Sequence, residues 1–132
     1  MGDHMYALPA GCGPPPFFSM KLRLTTENGA TIDCLVADTF WKRFRGLMGK
    51  PPPPNGEGLL IQPCNSIHMF FMRFSIDIVF MDREFRVVKL IRGLAPNKVV
   101  GSVAGAWQVL ELEAGKLPES VTLGTRFFYV GQ

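Results

Sequence analysis

From Gly58 onward, turn-forming residues cut the chain into apolar runs that are too short for helices. Asp82-Arg83-Glu84, Gly115 to Pro118 and Gly124 separate or break the runs Ile76–Met81, Phe85–Ile91, Trp107–Leu112 and Val121–Val130. Leu59–Gln62 and Ile67–Phe71 precede them. β-Branched and aromatic runs of roughly four to eight residues between turn signals read as strands, whereas a helix needs roughly ten or more. Upstream, Met20 to Thr26 alternates with Leu22 and Leu24 on one face. Glu27-Asn28-Gly29 supplies a hairpin turn, because Asn-Gly accepts positive φ, and Thr31 to Ala37 returns. Pro51 to Pro54 with Asn55-Gly56 makes a stiff loop that cannot enter a sheet ladder.

One helix is predicted, over about 38–48. Asp38-Thr39 offers side-chain oxygens to orphan N–H groups, Phe40, Phe44, Leu47 and Met48 recur at helical spacing, and Gly49 stops it. The expected fold class is therefore mostly β, α+β at the margin: a small barrel-like or two-sheet β fold with that single helix. Met1-Gly-Asp-His-Met5 looks like a vector remnant, and Pro9 with Pro14-Pro15-Pro16 marks residues 6–16 as an extended or disordered leader. That leaves 17–132 as one β-rich domain.

The chain is 47% hydrophobic, which supplies a core, and its eleven Phe are expected to lie mostly inside it. The net charge of +3 is spread, with the densest cluster at Lys42, Arg43 and Arg45, so no nucleic-acid partner is expected. Cys12, Cys34 and Cys64 are odd in number and widely spaced. They suggest neither a zinc site nor a disulfide framework, and no metal or cofactor is expected. Reduced thiols fit a cytoplasmic monomer, with export as the alternative if a signal peptide was removed. No apolar stretch reaches the roughly 18 residues of a membrane span.

Certain residues could carry chemistry. Asp77 lies among Ile76, Ile78, Val79 and Phe80 and shares a strand face with Val79 and Met81. It is either a buried carboxylate held by backbone or arginine, or a polar group lining a pocket. Arg45 and Arg73 are its candidate partners. On an extended 67–72 segment, His68 shares a face with Phe70 and Met72, with Cys64 farther along. Four extended residues span roughly 13 Å, too far for Cys64 and His68 to share an ion unless the chain bends sharply at Pro63 to Ser66. Arg45 caps the helix, pairs with a core carboxylate, or binds an anion in a cleft. Glu111, between Leu110 and Leu112, is expected to face solvent. Met48, Met69, Met72 and Met81 are expected to fill the core.

Val36-Ala-Asp-Thr39, Arg45-Gly-Leu-Met-Gly49, Gly58-Leu-Leu-Ile61, Ile67-His-Met-Phe-Phe-Met72, Ile76-Asp-Ile-Val-Phe-Met-Asp82, Val109-Leu-Glu-Leu-Glu-Ala-Gly115 and Leu123-Gly124 occur in this order. Together they resemble the domain-of-unknown-function family 192, over roughly residues 22 to 130. The resemblance implies a compact β-rich domain of bacteria and archaea, and no reaction, substrate or catalytic residue. Two departures stand out: Phe71 where many relatives carry Trp, and Arg83-Glu84-Phe85 where a glycine-containing turn is common.

Three functional readings follow. The first is a non-catalytic module that binds a small molecule or protein partner in an apolar cleft formed by Arg45, His68, Met72, Arg73 and Asp77. The second is a small enzyme with Asp77 or His68 as acid or base, which requires the two to meet in one concavity. The third is a structural or assembly domain. Few catalytic groups and abundant Phe and Met favour the first.

Overall fold

The computed structural model describes residues 20–38 and 46–131. Nine strands are present among them: β1 (Lys21–Thr25), β2 (Thr31–Ala37), β3 (Gly58–Ile61), β4 (Ile67–His68), β5 (Ile76–Met81), β6 (Val87–Leu94), β7 (Val99–Val100), β8 (Gln108–Glu113) and β9 (Phe128–Gly131). The fold is mostly β, as the short runs predict. The expected helix falls largely on residues outside those described, and residues 46–49 form a turn. A 3-10 turn, Pro54–Gly56, lies in the proline loop.

Seven strands form one sheet in the order β6-β5-β8-β3-β2-β1-β9, and β4 pairs with β7 in a second. Only β2 and β3 run parallel, joined by the long 38–57 connection, and the other pairs are antiparallel. The large sheet curls. Val87 N–H donates to Thr125 O at 2.8 Å and Phe127 N–H to Phe85 O at 3.0 Å, so the start of β6 meets the residues leading into β9. The result is a half-barrel.

The central strands are buried on both faces, as a sheet covered on each side requires. Residues 108–112 of β8 are all buried. Leu110 and Leu112 join Leu24, Val79, Met81 and Phe127 on one face, and Val109 joins Ile67, Met69, Ile76, Ile78 and Phe80 on the other. The Phe residues do not all go inside. Phe80 and Phe127 are fully buried, whereas Phe70, Phe71 and Phe128 are exposed.

The turn that departs from the family pattern still closes. Asp82 Oδ1 accepts from the N–H groups of Glu84 and Arg86, both at 2.9 Å, and Phe85 N–H donates to Asp82 O. Phe85 adopts φ 64°, the left-handed conformation for which glycine is the usual residue.

Cys34 is sealed in the core, with its thiol directed at Leu22 O, 3.6 Å away. Burial pushes its pKa up to about 12, helped by the nearby carboxylates of Asp33 and Glu57. Its thiolate at pH 8 is therefore scarcer than an ordinary cysteine's by roughly three orders of magnitude. Iodoacetamide at pH 8 should label Cys64 in the folded protein and spare Cys34 until denaturant is added. Peptide mass mapping checks this, and rapid native labelling of Cys34 would contradict the burial.

Candidate functional site

Three segments converge on the face of the sheet that carries Ile78 and Val109. After β3 the chain bends at residues 62, 63 and 65, and Cys64 N–H donates to Trp107 O at 2.8 Å. β4 then lasts only two residues, Ile67 and His68, paired with Val100 and Val99 of β7, and the next step of that pairing is made by Met69. Its N–H donates to Lys98 O at 2.7 Å and its carbonyl accepts from Asn97 N–H at 2.9 Å. A turn over 69–72 follows, closed by Met72 N–H to Met69 O at 3.3 Å. The strand expected over 67–71 thus ends at His68.

These segments and the 46–48 turn enclose a cleft of about 70 Å³ over β3 and β8. Leu47, Ile61, Ile67 and Glu111 are buried in its lining, Met48, Cys64 and Met72 are half-buried, and His68 and Phe70 lie at the exposed mouth. The His68 and Phe70 rings stack, with centroids 5.3 Å apart. Cys64 donates its thiol hydrogen to Ser66 O at 2.9 Å.

Glu111 corrects the sequence reading most sharply. It is 6% exposed rather than solvent-facing. On β8 it stands opposite Leu59 of β3 and Ile78 of β5, both apolar. Its carboxyl makes no hydrogen bond or ion pair with any described residue. Burial strips most of the hydration from this carboxylate and no described residue replaces it, so its pKa is pushed up to about 7. The cleft floor therefore switches between neutral and anionic near neutral pH.

The five sequence candidates do not assemble as one cleft. His68 and Met72 line it together. Arg73 is exposed and is not part of the lining. Arg45 lies outside the described residues. Asp77 stands on the opposite face of the sheet, with Val79 and Met81, because strand side chains alternate. Its carboxylate is already occupied. Oδ1 accepts from Gly93 N–H at 2.8 Å, and Oδ2 accepts from the N–H groups of Gly115 at 3.0 Å and Leu117 at 3.2 Å. Asp77 and His68 consequently cannot work as an acid–base couple.

The bend at 62–65 supplies the condition the extended-strand argument left open, since Cys64 and His68 line the same cleft. No group of three or more His, Cys, Asp or Glu side chains among the described residues is placed to hold a metal ion. Larger depressions exist elsewhere. One of about 770 Å³ runs past Val103 and Leu123, but its arginine, Arg92, already donates to the carbonyls of Leu117, Pro118 and Val121. The cleft residues missed in the sequence are Glu111 and, as lining rather than filler, Met48.

Phe71 follows Phe70 in the 69–72 turn but is not part of the lining. It is 76% exposed yet adopts φ 63°, which costs a bulky residue about 1–3 kcal/mol. Gly49 N–H donates to Phe71 O at 2.8 Å and helps hold this turn against the 46–49 segment.

Residues 23–126 match the sequence profile of the DUF192 family, described as Uncharacterized ACR. The chain belongs to this family. A UPF0127 protein of Thermococcus sibiricus is 42% identical over 85 residues, which cover 61% of this chain and 54% of that protein. A UPF0127 protein of Pyrococcus horikoshii is 40% identical over 91 residues, covering 65% of this chain and 76% of that protein. The chain thus spans about half the length of the Thermococcus sibiricus relative. Among solved structures, a protein of unknown function from Novosphingobium aromaticivorans superposes with a TM-score of 0.73 at 18% identity, over 92% of this chain and 91% of that one. A Sinorhizobium meliloti protein, named as a proposed transcription regulator, gives 0.70 at 23% identity, over 85% and 92%. At such identities the likeness carries the fold alone. The DUF192 family is uncharacterised, so the cleft's chemistry has to be argued from its own residues. Among the described residues, no helix is long and apolar enough to cross a membrane.

Proposed function

We propose that this DUF192 domain is a non-catalytic binding module and that the Glu111 cleft holds its ligand. The observation that carries the reading is a buried carboxyl with no described partner, lining a cleft whose other walls are apolar or soft. Such a group costs stability unless something outside the domain completes it.

Catalysis needs more than one perturbed group. A nucleophile needs a base within hydrogen-bond reach and the base needs an orienting partner. Here the Cys64 thiol is committed to Ser66 O, and His68 stacks on Phe70 without a hydrogen bond among the described residues. The dispersed charge supports a small-molecule or protein partner rather than nucleic acid. The free, buried thiol of Cys34 supports a reducing, cytoplasmic setting. A monomeric unit over 17–132 is the form we assign.

The test is a thermal-shift screen at pH 7.5 with small amines, carboxylic acids, sugars and metal ions. A ligand at 100 times its Kd adds about 2.7 kcal/mol of stability. We expect at least one compound to stabilise the wild type and to lose that effect in Glu111→Gln. A flat screen, or stabilisers indifferent to Glu111, would overturn the reading.

A further inference from the structure

We propose that the cleft takes a primary ammonium group on an unbranched apolar stem, with the nitrogen seated against the Glu111 carboxylate. The inference rests on the binding-module reading and names its ligand class. Three observations lead to it.

The first is charge. No lysine or arginine among the described residues lines the cleft, and its acidic side chain is Glu111. A cation brought to that carboxylate supplies the interaction that burial has removed, and it favours the ionised form. The second is size. About 70 Å³ holds roughly two waters' share of liquid volume, so only the tip of a ligand enters. An ammonium with one or two methylenes fits that space, and a planar guanidinium with five donors would leave most of them unmet. The third is the wall. Ile61, Met48 and Met72 offer aliphatic and thioether surface to a stem, and Phe70 offers a ring to a cation at the mouth. Ser66, also on the lining, adds a hydroxyl acceptor for a second ammonium hydrogen.

Binding then couples to a proton. At pH 6 Glu111 is mostly protonated and must lose its proton to the solvent when the ammonium arrives. At pH 8 it is already ionised. Affinity should rise about fivefold from pH 6 to pH 7, reach about tenfold by pH 8 and level off above it. The other titratable groups on the cleft are Cys64 and His68, while β3 and β5 present Leu59 and Ile78 opposite Glu111.

The ammonium has two sources, a free alkylamine or the side chain of a lysine on another polypeptide. Phe71, protruding beside Phe70, would add contact area only to the second.

The test uses the full chain labelled with ¹³C at the methionine methyls, so that Met48 and Met72 report on the cleft by NMR. n-Butylamine, n-butanol and an acetylated, amidated Gly-Lys-Gly peptide are titrated at pH 6 and pH 8. We expect saturable shifts with n-butylamine, at least tenfold tighter than with n-butanol at pH 8, and about tenfold weaker binding at pH 6. In Glu111→Gln, with the remaining methyl spectrum unchanged, the amine should bind no better than the alcohol. A peptide tighter than n-butylamine and weakened by Phe71→Ala assigns the source as a polypeptide lysine. Equal affinity assigns a free amine. Butanol binding as tightly as butylamine overturns the ammonium assignment and leaves the cleft a ligand site. Silence from every probe overturns both. A pH dependence that survives in Glu111→Gln belongs to His68 or Cys64, and the assignment to Glu111 falls.

Discussion

Glu111→Gln should make the protein more stable at pH 8, by as much as about 3 kcal/mol, and should flatten its stability between pH 5 and pH 7.5. The folded-state pKa of Glu111 is raised from 4.5 to about 7 by burial. Below pH 4.5 the group is protonated in both states and contributes no pH dependence. Between 4.5 and about 7 the unfolded chain releases its proton while the folded chain keeps it. The unfolded state then binds fewer protons, so stability falls as pH rises. Above about 7 both states are ionised and the loss is complete. The interval from 4.5 to about 7, at about 1.4 kcal/mol per pH unit, gives about 3 kcal/mol. Gln keeps the shape and removes the charge, so the variant should lack this slope. Urea unfolding at half-unit steps from pH 5 to pH 8 measures it. Parallel curves for the two proteins would mean that Glu111 is solvated in the folded state.

That stability cost bears on function. A domain's net stability is commonly only about 5–15 kcal/mol, so a loss of 3 is a large fraction. An isosteric amide removes the loss, and the carboxyl makes no hydrogen bond or ion pair among the described residues that holds the fold. What the carboxyl does that the amide cannot is become an anion, and that is the property an ammonium ligand uses.

The strands were legible because their signals are local. Leu22 and Leu24 alternate before Asn28-Gly29, and Ile76–Met81 sits ahead of Asp82, whose side chain closes its own turn. The cleft was not legible, and for one reason. β4 pairs with β7, Met69 carries that pairing on to Asn97 and Lys98, close to thirty residues away, and the chain then turns over 69–72; nothing around Ile67 announces either. Leu110-Glu111-Leu112 alternates as a half-exposed strand would, and the parity is correct, since Glu111 does point away from Leu110 and Leu112. What the pattern lacks is any record that 46–48 and 62–72 fold over that face. Asp77 shows the converse. Its parity with Val79 and Met81 was readable, but the backbone groups it accepts from lie 16 to 40 residues away.

Asp77→Ala should remove about 4 kcal/mol of stability, and Asp77→Asn about half as much. The β5–β6 register shifts between Ile76, opposite Leu94, and Ile78, opposite Ile91, so Arg92 and Gly93 both face Asp77. Gly93 takes φ 72° in this bulge and Gly115 takes φ 92° in the turn after β8. Bulged and turned backbone leaves N–H groups without ladder partners, and the Asp77 carboxylate accepts from three of them, on Gly93, Gly115 and Leu117. A buried N–H left unsatisfied costs about 1–3 kcal/mol, and the three are coupled, so their costs do not simply add. Asn keeps one acceptor oxygen and turns the other into a donor that faces N–H groups, so it relieves only part of the loss. The Asp77 variants should lose hydrogen-exchange protection first at the Gly93, Gly115 and Leu117 amides, while the Met48 and Met72 methyl resonances on the opposite face keep their positions. A role for Asp77 at the cleft predicts the reverse: shifted methionine methyls and intact amide protection. The two patterns separate a carboxylate that joins the β6 bulge to the turn after β8 from one that serves a ligand, even in a variant too unstable for binding measurements at 37 °C.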